Sequence, residues 1–171
     1  MALLIPSTFR LARYRFTLTI RDPITLPVFK GSALRGGFGY AFKGMVCFQP
    51  NVKSCGACLL RYKCPYSYVF ETPVPPDAEV LSKNRRLPRP LVIQPPLERQ
   101  TDYRPGETLT FHIALVGQAM DFLPYFLVAF QELGRRGLGR GRGRFYLSRV
   151  EAVRPFDAQT DLVYDEAAPA N

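Results

Sequence analysis

The chain has 171 residues, enough for one domain with a sizeable core, and 47% of them are hydrophobic, which excludes a disordered chain. Its formal net charge of +9 points to nucleic acid, an anionic membrane surface or an acidic partner, with a merely solvated basic surface as the plain alternative. No run approaches the roughly 18 to 20 apolar residues of a membrane span, and Met1 to Pro6 is too short for a signal peptide, so a cytoplasmic protein is expected.

Leu11 to Ile20 alternates, with Tyr14, Phe16, Leu18 and Ile20 on one face, and reads as a half-buried strand ended by Asp22-Pro23. A helix follows from an N-cap at Ser32, carrying Leu34, Phe38, Ala41, Phe42 and Met45 at helical spacing. Gly36, Gly37 and Gly39 each weaken it by about 1 kcal/mol, so close approach of another backbone or a ligand must compensate. Residues 46–72 form a cysteine-bearing insertion and 73–90 a proline-rich loop. Leu91 to Gln94 is a short strand, Arg104 to Glu107 a turn, and Thr108 to Val116 a second alternating strand that pairs with it.

Asp121 to Leu133 reads as an apolar-faced helix with Gly134 at its C′ position. Phe145 to Val153 is the last strand, with an irregularity near Arg149. Residues 156–171 are acidic and read as a tail or a linker to a second half. The order strand, helix, strand, strand, helix, strand predicts an α+β, ferredoxin-like (RRM-like) βαββαβ domain over residues 1–155, its two helices on one sheet face.

Between the second helix and the last strand runs Gly134-Arg-Arg-Gly-Leu-Gly-Arg-Gly-Arg-Gly-Arg144. Glycine admits positive φ and close backbone approach, and arginine offers planar bidentate donors to phosphate. A loop joining both, held between regular elements, suits a polyanion; a disordered basic run is the bland alternative. The candidate RNA-binding residues are Arg135, Arg136, Gly139, Arg140, Gly141, Arg142 and Arg144 of this loop. To these are added Lys30, Arg35 and Lys43 of the first helix, and Arg85 and Arg86 of the long loop.

Cys47, Cys55, Cys58 and Cys64 are spaced C-x7-C-x2-C-x5-C. Two residues between Cys55 and Cys58 let both thiolates face one tetrahedral ion, so structural zinc is expected. An iron–sulfur cluster, and free or disulfide-bonded thiols, stay open. Four thiolates would close the site, so no catalytic metal is implied. Tyr62, Tyr66, Tyr68 and Phe70 either stack on bases or pack around this loop. His112 is the sole histidine, set on the polar face of its strand; it is ordinarily structural and the one weak candidate for an acid or base.

Several motifs occur in order: Leu26-Pro-Val-Phe-Lys-Gly-Ser-Ala-Leu-Arg-Gly-Gly-Phe-Gly39, Cys55-Gly-Ala-Cys58, Cys64-Pro-Tyr, Phe70-Glu71, Arg89-Pro-Leu-Val-Ile-Gln-Pro-Pro96, Phe111-His-Ile-Ala-Leu-Val-Gly117 and Gly137-Leu-Gly-Arg-Gly-Arg-Gly-Arg144. Together they resemble the N-terminal half of the CRISPR precursor-RNA-processing endoribonucleases of the RAMP superfamily. The resemblance implies binding of CRISPR repeat RNA and metal-independent cleavage, in which the RNA 2′-hydroxyl attacks the adjacent phosphate. It also implies partnership with a second ferredoxin-like half or with other CRISPR-associated subunits. The chain departs from the family in lacking a histidine in its first-helix region, which leaves its catalytic residues unassigned and makes a non-catalytic RAMP subunit the alternative. A zinc-stabilised interaction domain without RNA function is the third reading.

Overall fold

The computed structural model describes residues 8–49, 51, 52, 54–76, 87–154 and 159–166. Its elements in chain order are β1 (Leu11–Ile20), β2 (Ile24–Thr25), α1 (Gly31–Val46), β3 (Leu91–Gln94), β4 (Asp102–Tyr103), β5 (Thr108–Val116), α2 (Leu123–Arg136), β6 (Phe145–Val153) and β7 (Thr160–Asp165). The main sheet is antiparallel with the order β3-β5-β1-β6-β7, and β2 pairs with β4 in a small second sheet. Without β7, the order places the fourth strand beside the first and the third between the first and second. That is the ferredoxin-like arrangement expected from the element pattern.

The alternation in β1 and β5 fixes which face is buried. Register runs from Leu11 opposite Val116 to Thr19 opposite Thr108, so Phe16, Leu18, Leu109, Phe111, Ile113 and Leu115 all turn to the helices and are buried. The irregularity expected near Arg149 is a bulge: Thr17 faces Arg149, but Leu18 faces Leu147. The helices close the core with rings. Phe38 of α1 lies flat on Phe130 of α2 at 4.8 Å, and Phe130 packs on Phe16 of β1 at 5.2 Å. After the cysteine region, a wide helical turn, Ser67–Glu71, sends Val69 and Phe70 into the same core. Tyr66 stacks on Phe70 at 5.0 Å and Tyr68 meets Phe122 edge-on, so these rings pack rather than stand free.

Four expectations change. Lys30, not Ser32, caps α1, and no side chain accepts from its first turn. Gly134 is inside α2; Gly137, at φ 86°, ends the helix. A 3₁₀ turn, Gly117–Phe122, precedes α2 where the helix was expected to begin. The acidic segment is not only a tail, because Thr160–Asp165 extends the sheet as β7 alongside β6. Its exposed Leu162 and Val163 make it a one-sided edge strand with little apolar signal in sequence. Among the described residues no helix is long and apolar enough to cross a membrane.

Gly134 explains how tightly α2 sits on β6. A Cβ there would press into the Phe145 carbonyl and come within 3.2 Å of its ring. Gly134→Ala is expected to destabilise the fold by about 1 to 3 kcal/mol, read as a lower urea midpoint with unchanged slope; an unmoved midpoint would refute this packing.

Candidate nucleic-acid interface

The glycine–arginine loop is an ordered hairpin. Gly137 N–H donates to the Leu133 carbonyl at 2.8 Å as α2 ends, and Leu138 N–H donates to Gly143 at 2.9 Å as the hairpin closes. Leu138 is its buried anchor. The hairpin lies backbone-to-backbone on residues 21–25: Arg140 N–H donates to the Thr25 carbonyl at 3.0 Å, and Arg21 and Asp22 N–H donate to the Arg144 carbonyl at 2.9 and 3.1 Å. Side chains at 139 or 143 would strike the Thr25 or Pro23 carbonyl. These two glycines therefore make room for the protein's own chain. The disordered alternative is set aside for this loop.

The loop's arginines fall into two groups. Arg135 and Arg136 bind Glu132 at 3.4 and 2.7 Å, and Arg136 also lies over the Tyr40 ring at 5.6 Å. Arg144 binds Asp22 and holds that carboxyl below the usual carboxylate range through its side-chain hydrogen bond. Arg140 and Arg142, at the tip, are exposed and have no side-chain partner among the described residues. Arg142 holds φ 52°, a left-handed conformation costly for any residue with a Cβ.

A second basic surface lies along α1. Arg35, Tyr40, Lys43, Tyr66 and Arg89 line an open groove of about 550 Å³. The Arg35 guanidinium sits over Phe70 at 5.2 Å; burial, then the neighbouring Arg89 charge, lowers it from its ordinary value. Lys43 lies over Tyr66 at 5.4 Å. Tyr40 is 71% exposed. Gly36, one turn before it, has open space where a side chain would stand. The Tyr40–Arg136 contact joins the α1 ridge to the end of α2, where the hairpin starts. Arg35 and Lys43 thus stand on a basic helix surface.

Lys30 does not. It is 0% exposed, its ammonium donates to the Val28 and Glu98 carbonyls at 3.3 and 3.0 Å, and it faces the Tyr103 ring at 5.8 Å. Its ammonium ties the segment before α1 to the one before β4 and, contrary to the sequence expectation, is not presented at the surface. Arg85 and Arg86 lie outside the described residues. Sequence reasoning missed Tyr40, although Gly36, Tyr40 and Lys43 share one helix face at i, i+4, i+7 spacing.

His112 lies on the sheet face away from α1 and α2. Across the strands its row reads Gln94, His112, Arg15, Glu151, and Arg15 binds Glu151 at 2.8 Å. Burial, then the charges of Arg13 and Arg15, lowers its pKa. The four cysteines are half-buried free thiols around one small cavity. Among the described residues no group of three or more Cys, His, Asp or Glu could hold a metal ion as it stands.

The family model AF_1859_N, described as an N-terminal domain, matches residues 9–170. The chain belongs to this family. It is 30% identical over 113 residues to an Archaeoglobus fulgidus protein described as uncharacterized; the match covers 66% of this chain and 37% of that protein. The chain thus spans little more than a third of that relative. Among solved structures it is similar to a chain of the Csm3-Csm4 subcomplex of the type III-A CRISPR-Cas interference complex. The TM-score is 0.55 at 14% identity, over 84% of this chain and 78% of that one. That likeness shows the fold, and the RAMP-like fold expected from the ordered motifs is the one found.

Two outcomes follow. Arg142→Gly relieves the left-handed strain and should leave stability unchanged or raise it by up to ~1 kcal/mol; a clearly lower urea midpoint would show that the side chain holds the loop. His112 stays neutral more readily when folded. Below its unfolded pKa of about 6.5 the unfolded chain gains the proton first, so stability is lost as pH falls through the lower folded pKa. Between pH 7.5 and 5.5 the wild type should therefore lose more stability than His112→Gln, and equal losses would refute the shift.

Proposed function

We propose that the chain is an RNA-holding RAMP module that binds CRISPR repeat RNA by its backbone and takes part in metal-independent processing of the precursor. The observation that carries this reading is the pair Arg140 and Arg142: exposed, without a side-chain partner among the described residues, and presented by a latched hairpin. An arginine without a partner in its own chain has its bidentate donors free for phosphate. A loop already ordered has less conformational entropy to lose on binding. The groove adds Arg35, Lys43 and Arg89 for further phosphates and the exposed Tyr40 ring for a base.

Cleavage through the RNA's own 2′-hydroxyl needs a base for that hydroxyl and an acid for the leaving oxygen. The sole histidine is on the far sheet face from the helices, which favours a positioning role for this chain, with the catalytic groups unassigned. The non-catalytic alternative draws support from the solved neighbour, which is part of an interference complex.

One binding series in EDTA, with labelled repeat RNA at several salt concentrations, tests these readings. Wild type should bind, and Arg140→Ala with Arg142→Ala should flatten the log–log salt dependence by up to ~0.7 per lost phosphate contact on a single strand. An unchanged slope removes the hairpin as the grip, and no binding by a folded chain removes the RNA reading. Cleavage in the same tubes favours the processing role; binding without cleavage favours the subunit role.

A further inference from the structure

We propose that Cys47, Cys55, Cys58 and Cys64 together hold one thiophilic divalent cation, zinc by the chemistry of its ligands, and that this ion sets the shape of the segment they punctuate. Val46 and Ser67 are buried at either end, yet no described residue between them is buried. The segment's large apolar side chains face water: Phe48 is 84% and Leu59 90% exposed. Among the described residues, its only regular piece before Pro65 is the 3₁₀ turn Cys55–Ala57. A stretch of this length without apolar burial cannot offset its ordering entropy by packing, so something else must fasten it.

The segment's four cysteines are all partly buried. All four line one cavity of about 20 Å³, room for a single water-sized occupant. None is joined in a disulfide. Backbone bonds already curl the chain around them: Cys58 N–H donates to the Cys55 carbonyl at 3.1 Å, Arg61 N–H to Cys58 at 3.2 Å and Cys64 N–H to Leu60 at 2.9 Å. Lys43 and Arg61 also line the cavity, and Arg61 is tied to the Gly56 carbonyl at 2.6 Å. Their two positive charges match the net charge of minus two that four thiolates and one divalent ion carry.

The Cys58 thiol instead points at Gln49 Oε1, 3.4 Å away. Because no three of these groups yet stand as a metal-holding set, the side chains must turn inward to bring each sulfur to about 2.3 Å from the ion. Four S–H bonds then break, four metal–sulfur bonds form, and four protons leave to solvent. No oxidant or reductant is needed.

No RNA enters the test, so its result is separate from that of the RNA reading. Purified chain is assayed for metal, then for thiol reactivity with and without a zinc chelator, then for cobalt substitution. About one zinc per chain is expected, with four thiols slow to react until the chelator is added. The cobalt form should show thiolate charge-transfer and tetrahedral ligand-field bands. Cys58→Ser should lose zinc yet keep the circular dichroism of the sheet and helices, since the segment is outside the core. Metal-free chain with four freely reactive thiols overturns the site. So does an intact mass short by two or four hydrogens, which means disulfides, and so does iron with acid-labile sulfide. If Cys58→Ser fails to fold, chelator-dependent thiol release in the wild type still decides.

Discussion

The stack of Phe38 on Phe130 and Phe130 on Phe16 is the contact on which the remaining geometry depends. It joins α1, α2 and the central strand at one point. Each ring, fully buried, contributes on the order of 2 to 3 kcal/mol by area, and well-placed aromatic pairs add about 0.5 to 1.5 kcal/mol. Phe126 meets Phe38 edge-on at 5.1 Å and Phe42 at 5.2 Å, so the rotation of α1 about its own axis is fixed as well as its distance. With Phe38 and Phe42 inward, Tyr40 and Lys43 are left to the outer surface. With Phe126 and Phe130 inward, α2 ends beside Tyr40 and releases the hairpin against residues 21–25.

The excess of positive charge is divided by what faces it. Glu132 holds Arg135 and Arg136, Asp22 holds Arg144, Glu151 holds Arg15 and Asp165 holds Arg149. These surface pairs contribute little stability individually; their effect is to withdraw those arginines from competition for an outside anion. Lys30 is the extreme case. A buried ammonium is costly unless its protons are satisfied, and two carbonyls and the Tyr103 ring satisfy it. Among the described residues, Arg140 and Arg142 at the hairpin tip and Arg35, Lys43 and Arg89 in the α1 groove are in no ion pair, as are Arg13, Arg99 and Arg104 elsewhere. Net charge alone could not make that distinction.

Much of the sheet was legible because period-two alternation in Leu11–Ile20 and Thr108–Val116 is a direct consequence of one buried face. The bulge near Arg149 was legible for the same reason, since the apolar pattern skips a place between Leu147 and Val150. The positions that sequence could not resolve depend on distant partners. Lys30 reads as a surface base until the Glu98 carbonyl, far along the chain, is seen to accept from it. Gly134 has the right place and identity for a helix end, but the Phe145 backbone needs it inside the helix. β7 carries Leu162 and Val163 outward and so lacks the pattern of a covered strand. The four cysteines were found by spacing, and spacing alone does not report how closely the thiols approach.

The sequence expectation for the hairpin was that its glycines admit positive φ and close backbone approach in a loop suited to a polyanion. The structure assigns Gly139 and Gly143 to the protein itself, against the Thr25 and Pro23 carbonyls. This changes what the loop's sequence means. Glycine brings the hairpin close enough to β2 for main-chain bonds to hold it, and the arginines between are then carried on a fixed frame. Arg142 keeps a left-handed φ although glycine would suit the position better. Main-chain bonds from Arg142 N–H to Gly139 and from Leu138 N–H to Gly143 hold the backbone there, at a residue whose side chain has no hydrogen bond or ion pair among the described residues.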